Sequence, residues 1–231
     1  MDSVKAFIIP DVSTRLAALR TGKIDRLQDI SWQDAESLDK TNPELKKTKY
    51  LSGEPGMAVG QRTDKAPFSD VRVRRALQIA IDRQAIIKDY FKGNAILVNW
   101  PFKAAWGEDL YTPVDKLSPS AKELFEYNPQ KAKQLLADAG YPKGFKTEVV
   151  TSEKYADLVS MCKAWWKDIG VDAEIKIVDT STLGVILFAK SYLQLMVGGP
   201  TIGASSPYVT GYVYFISGGG YNFSVVNDPV F

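Results

Sequence analysis

Apolar positions along the chain switch between two periods. Over Val71–Ile81, Val73, Leu77 and Ala80 recur three or four residues apart, which predicts an amphipathic helix with Arg72 and Arg75 on its outer face. Ser69 and Asp70 stand where an N-cap belongs. Asp82 caps a second helix, Arg83–Lys92, with Ile86, Ile87, Tyr90 and Phe91 inward and Gly93 as the stop. Asn128-Pro129 supplies a cap and a first-turn proline for a third helix, whose stripe is Ala132, Leu135, Leu136 and Ala139. A fourth covers 154–169, with Leu158, Cys162, Trp165 and Ile169 in register. Between these the period falls to two. Residues 145–151 (FKTEVVT) and 171–178 (VDAEIKIV) read as strands. Thr180 starts a helix to about Lys190, and 192–197 (YLQLMV) reads as a buried strand.

The N-terminal stretch has a similar rhythm. Residues 4–9 (VKAFII) and 23–30 (KIDRLQDI) read as strands. Ser13 or Thr14 caps a helix over Arg15–Thr21, and Ser31 caps another through Asp39. The Ser52-Gly53-Glu54-Pro55-Gly56 cluster is the expected hinge or domain boundary. Residues 94–127 have weak periodicity and read as a long, functional loop. From 198 onward Gly, Ser, Pro and Tyr dominate and the period fades. The alternation of strands and helices predicts an α/β architecture.

Composition narrows the chemistry. The 231 residues contain no histidine, which removes Ser-His-Asp and Cys-His catalysis and histidine-based zinc sites. The single cysteine, Cys162, has no partner for an internal disulfide and reads as a buried structural thiol. With 29 basic and 27 acidic residues, the net charge of +2 gives no electrostatic reason for nucleic acid or an anionic membrane as partner. No stretch approaches the ~20 apolar residues of a membrane span, and the first residues do not form a signal peptide. Gly218-Gly219-Gly220 lacks the lysine and helix of a phosphate loop and reads as a turn.

Four phrases, in order, carry a resemblance. They are Ala18-Leu19-Arg20-Thr21-Gly22-Lys23-Ile24-Asp25, then Ala66-Pro67-Phe68-Ser69-Asp70-Val71-Arg72-Val73-Arg74-Arg75-Ala76-Leu77 with Ala80-Ile81-Asp82-Arg83. Next come Asn128-Pro129-Gln130-Lys131-Ala132 with Ala139-Gly140-Tyr141-Pro142 and Gly144-Phe145, and finally Trp166-Lys167-Asp168-Ile169-Gly170-Val171. Together they resemble the family 5 extracellular solute-binding proteins, which serve ABC importers and include peptide, nickel and oligosaccharide binders. The resemblance implies a periplasmic-binding-protein-like fold of type II, class C: a mixed sheet flanked by helices. It implies a first-lobe tail at about 1–53 and most of a second, ligand-covering lobe at about 54–231. Family members are longer, so the signal segment and closing elements are expected elsewhere. It also implies a periplasmic or extracellular location, with a small solute, the missing segments of the same protein and ABC permease subunits as partners, and no cofactor.

In peptide-binding members an Asp in the loop after a buried strand pairs with the ligand's amino terminus. Here that loop corresponds to Gly198–Pro207, and no acidic residue occurs from Tyr192 to Asn227. What the loop offers is hydroxyls and backbone amides: Gly199, Pro200, Thr201, Gly203, Ser205, Ser206 and Tyr208. Trp100 and Trp106 are expected to add aromatic faces, as are Tyr212, Tyr214 and Tyr221. Such a lining suits a neutral polar or largely apolar solute. The competing readings are a sensor of the same fold and a hydrolase using paired carboxylates, Glu123 with Glu126 or Asp168 with Asp172.

Overall fold

The computed structural model describes residues 3–28, 30–49, 59–97, 111–192, 195–197, 212 and 214–228. The chain divides into two compact units, Met1–Tyr50 and Leu51–Phe231.

The first unit holds two helices, α1 (Val12–Arg20) and α2 (Trp32–Thr41). Leu16 and Leu38 are its buried side chains. Ser31 caps α2 as expected, accepting the Asp34 amide at 3.0 Å. The cap of α1 is Asp11, not Ser13 or Thr14. Its carboxylate accepts both the amide and the hydroxyl of Thr14, at 2.7 and 2.6 Å. An ionised carboxylate at a helix N-terminus outbids a neutral hydroxyl two or three residues later. The strands expected at 4–9 and 23–30 do not form among the described residues. Val4, Phe7 and Ile8 are instead exposed. An extended segment becomes a strand only beside a neighbour that takes its amide and carbonyl groups, and no described residue of this unit does so.

The second unit is built on a mixed sheet in the order β1-β4-β2-β3. Its strands are β1 (Val59–Gln61), β2 (Phe145–Thr151), β3 (Val171–Ile177) and β4 (Leu195–Val197). β4 runs parallel to β2 and antiparallel to β1, and β2 runs parallel to β3. This is the mixed sheet flanked by helices that the resemblance implied. Helix α3 (Val71–Ile79) is capped by Asp70, and α4 (Arg83–Ala85) by Asp82; α4 continues as a π-helical turn through Tyr90. Of the expected loop, 94–97 and 111–127 are described, and 111–127 contains α5 (Pro119–Lys122) between two 3₁₀ turns. Single turns are too short to display a period. Helix α6 (Pro129–Asp138) follows its Asn128 cap, and α7 (Ala156–Asp168) connects β2 to β3. Helix α8 (Thr180–Phe188) leads towards β4.

The main core gathers Phe68, Val73, Leu77 and Ile79 with Leu136, Val149, Val159, Cys162 and Trp166. The buried stripe of α7 is Leu158, Val159, Cys162 and Trp166, so the buried tryptophan is Trp166, with Trp165 packing at the margin. The indole N–H of Trp166 donates to the Leu77 carbonyl at 3.0 Å, inside the core. That carbonyl is one of the four that the end of α3 leaves without a helical partner. The others are also met. The Ala80 amide reaches Ala76 at 3.1 Å, Arg83 Nη1 reaches the Gln78 carbonyl at 3.0 Å, and the Asn128 amide reaches Ile79 at 2.8 Å. Four donors from four places thus converge on one helix end.

The register of β2 on β3 begins at Phe145 opposite Val171. Just before that pair, Gly144 and Gly170 both adopt left-handed backbone, at φ +72° and +89°. A Cβ on Gly144 would lie 1.8 Å from the Gly170 carbonyl oxygen. Only hydrogen fits there, which gives the Gly144-Phe145 and Gly170-Val171 phrases a physical cause.

Two expected outcomes follow. Gly144→Ala destabilises the fold by about 3 kcal/mol or more, combining left-handed strain and overpacking. Gly140→Ala, also left-handed but with nothing within 4 Å, costs about 1–2 kcal/mol; urea unfolding of both variants measures the difference. Trp166→Phe keeps most of the volume but leaves the Leu77 carbonyl without its donor, at a cost of about 1–3 kcal/mol, read in the same experiment.

Candidate functional site

The residues that sequence reasoning singled out for solute contact are Trp100, Trp106, Gly199, Pro200, Thr201, Gly203, Ser205, Ser206 and Tyr208. All lie outside the described residues. The described structure on either side of 198–211 supplies the frame from which that stretch departs and to which it returns.

On the departing side, β4 sits inside the sheet, with Leu195 opposite Val149 of β2 and Gln61 of β1. Just ahead of it, Tyr192 is 1% exposed and belongs to a second apolar cluster with Val150, Leu183, Leu187 and Phe223. Its hydroxyl donates to the Phe223 carbonyl. Burial pushes that phenol up to about 12, so it stays protonated and able to donate. The guanidinium of Arg62 lies over the Tyr192 ring, 5.7 Å from its centre. Arg62 also grips Asp64 through a two-pronged fork, at 2.7 Å for each bond, and donates its third arm to the Lys190 carbonyl.

On the returning side, residues 216–226 form an asparagine-closed turn. Asn222, 1% exposed, donates to the Ile216 and Val226 carbonyls and accepts the Val226 amide. Thr63 donates its amide and its hydroxyl to Ser224, at 2.9 Å each, and the hydroxyl also reaches the Val225 carbonyl. The Lys190 ammonium donates to the Gly219 carbonyl at 3.0 Å. Tyr221, expected to offer a face to ligand, packs edge-on against Phe188 and Phe223 and remains 37% exposed. Tyr212 is more open, at 57%. Arg62, Tyr192 and Asn222 were missed by sequence reasoning. Arg62 reaches Lys190, 128 residues away along the chain, and Tyr192 reaches Phe223, 31 away, so no local period points to that pair; Asn222 bonds within its own turn.

An open depression of about 400 Å³ lies elsewhere in this unit, its lining including Leu97, Tyr111, Val114, Phe125, Lys122 and Glu126. No described polar group is buried within it and directed inward.

Of the carboxylates in the hydrolase reading, Glu123 sits in an ion-paired setting. Glu123 accepts from Lys131 at 3.0 Å and Arg75 at 3.1 Å. The Lys131 contact, first, and then Arg75 hold its carboxyl below the ordinary range, the opposite of what a general acid needs. Glu126, Asp168 and Asp172 are exposed. Burial raises the Cys162 thiol to about 12, which suppresses the thiolate. Among the described residues no cluster of three Cys, Asp or Glu could hold a metal ion, and no helix is long and apolar enough to cross a membrane.

A mixed sheet with flanking helices, and a strand that delivers a hydroxyl- and glycine-rich stretch from its interior, match a known class. The chain belongs to the bacterial extracellular solute-binding proteins, family 5: it matches the family's Middle region over residues 1–222. It is 31% identical to heme-binding protein A of Haemophilus influenzae over 181 residues, covering 74% of this chain and 30% of that protein. It is 29% identical to the glutathione-binding protein GsiB of Salmonella typhimurium, covering 78% of this chain and 33% of that one. The chain therefore spans about a third of the length of these relatives. Among solved structures, the oligopeptide-binding protein AppA of Bacillus subtilis, in complex with a nonapeptide, superposes with a TM-score of 0.78 at 24% identity, over 96% of this chain and 45% of that one. The periplasmic binding protein DppA of Helicobacter pylori, with a bound peptide, gives 0.76 at 24%, over 96% and 42%. These two likenesses establish the fold.

The Arg62–Asp64 fork carries a pH prediction. The hydrogen bonds from Arg62 are the largest influence holding Asp64 below its ordinary 3.8. A carboxylate lowered in the folded state adds stability above its unfolded value and loses it as pH falls through the folded one. Unfolding free energy should therefore fall with pH below about 4, and Asp64→Asn should flatten part of that slope. Urea titrations at pH 3, 4 and 6 measure it.

Proposed function

We propose that this chain is the solute-contacting part of an extracytoplasmic binding protein that hands a small solute to an ABC importer. The match to the family 5 Middle region over residues 1–222 carries the reading. In it, residues 1–53 belong to the end of one lobe and 54–231 to the second, ligand-covering lobe. One solute touches both lobes, so closure gains free energy only when solute is present. The partners are that solute, other segments of the same polypeptide and the membrane permease, and the location is periplasmic or extracellular. Trp100, Trp106 and the stretch Gly199, Pro200, Thr201, Gly203, Ser205, Ser206 and Tyr208 are the proposed contacts.

The chemistry of that stretch narrows the solute. With no acidic side chain between Tyr192 and Asn227, this wall has no partner for a buried ammonium, and an unpaired buried charge costs several kcal/mol. Hydroxyls and glycine amides favour a neutral polar group or a blocked terminus instead. The absence of histidine anywhere in the chain also leaves no imidazole here for a haem iron.

The test uses the whole gene product, with whatever precedes or follows residues 1–231. Reduced glutathione, hemin, a tetrapeptide, its N-acetylated form and a neutral oligosaccharide are each added at saturation. At 100-fold over Kd a bound solute adds about 2.7 kcal/mol, and at least one compound should raise Tm by about 5 °C or more. No shift with any of them contradicts the reading. A peptide that binds should keep its affinity within about threefold on N-acetylation; a loss of about a hundredfold would overturn the argument from the missing acid.

A further inference from the structure

Helix α8 is anchored on one side and bare on the other. Its inward residues Leu183 and Leu187 are buried with Val150, Tyr192 and Phe223. Both of its ends are closed. The Asp179 carboxylate accepts the Ser181 and Thr182 amides at 3.0 and 2.9 Å, and the Ala189 amide reaches the Val185 carbonyl at 2.9 Å. Its outer residues Ser181, Gly184, Val185 and Phe188 recur at i, i+3, i+4 and i+7, the spacing of a stripe that packs on a neighbour. Val185 is 70% exposed and Phe188 52%. A Cβ on Gly184 would meet nothing within 4 Å, so the stripe also carries an open notch. Phe188 packs edge-on against Tyr221 and Phe223, at 5.4 and 5.5 Å between ring centres, and the partly exposed Tyr221 widens the apolar face beyond the helix. The outer face carries no charge. Among the described helices of nine residues or more, α8 is the one without a charged side chain, whereas α6 exposes Lys131 and Lys133. A surface helix puts polar and charged residues towards water, and one that is apolar all round is covered on both sides.

The size of the face selects its cover. A partner that arrives by diffusion needs about 800 Å² on each side, and this helix offers a face only about 14 Å long and about 10 Å wide. A segment tethered to the same chain docks at an effective concentration in the millimolar range and is held by far less area. The solved structures of this fold have that length to give: they match 96% of this chain, which covers 45% of AppA and 42% of DppA. We propose that the outer face of α8 is the docking surface for a further segment of the same polypeptide, which seats aliphatic or aromatic side chains on Val185, Phe188 and the Gly184 notch. The proposal rests on the reading above only in taking residues 1–231 as part of a longer chain.

The test uses the whole gene product without added solute. Val185→Cys and, as an open reference, Lys133→Cys are labelled with N-ethylmaleimide; Cys162, buried in the core, is the closed reference. The thiol at position 185 should react about tenfold or more slowly than the one at 133. Its rate should hold over roughly a hundredfold dilution of the protein and match the open reference in urea. Ala189, exposed at the margin of the face, carries the second probe: Ala189→p-benzoylphenylalanine, once irradiated, should cross-link within its own chain to a peptide outside residues 1–231. Labelling at position 185 as fast as at 133 overturns the proposal, as does a gene product with no residues beyond 1–231. Protection that fades on dilution gives the face to a second copy, and a cross-link landing within 1–231 or on another protein gives it to that partner; each of these overturns the proposal too. None of these results alters the Tm shift with solute, so the solute-binding reading stands or falls separately.

Discussion

The end of α3 is where the second unit is tied together. A helix end buried in a core exposes carbonyls that cannot stay unpaired without costing about 1–3 kcal/mol each. Here the donors come from Trp166 on α7, Arg83 on α4, the backbone of Asn128 at the start of α6 and the turn that follows α3 itself. Each donor fixes the position of its own element. The helices are therefore placed by directional bonds as well as by apolar contact, and the sheet strands that α7 connects are placed with them. The second constraint is the backbone approach of Gly144 to Gly170, which sets the register of β2 on β3.

The phrases that carry the family resemblance have structural duties in this chain. Asp70, Arg83, Asn128, Gly144, Trp166 and Gly170 each hold a cap, a carbonyl bond or a left-handed turn that another residue type would lose. They specify the scaffold. Relatives and neighbours that share this fold are named for heme, glutathione and peptides, so the scaffold residues alone do not name a solute.

Much of that scaffold was legible in the sequence because its signals are local. Ser31, Asp70, Asp82 and Asn128 cap the helices that their positions predicted, and β2 and β3 follow their patterns. What was not legible depends on distant partners. Residues 4–9 have a strand's composition but lack a neighbour to pair with among the described residues. Trp165 and Trp166 are adjacent, and a three- or four-residue spacing cannot say which of them turns inward; the Leu77 carbonyl decides it. The clasp of Arg62 with Tyr192 and Phe223 spans most of the second unit and leaves no periodic trace. The expected contacts themselves, from Trp100 to Tyr208, were read from resemblance and side-chain chemistry, and they remain a proposal.

The central claim is that this scaffold exists to hold a small molecule. Native mass spectrometry of the whole gene product, purified without denaturant, tests it most directly. The account predicts a second mass series displaced by one small non-covalent adduct, which disappears after unfolding and refolding in solute-free buffer and returns when the released compound is added back. A single bare mass throughout, unchanged by addition of a cell extract's small-molecule fraction, would contradict it.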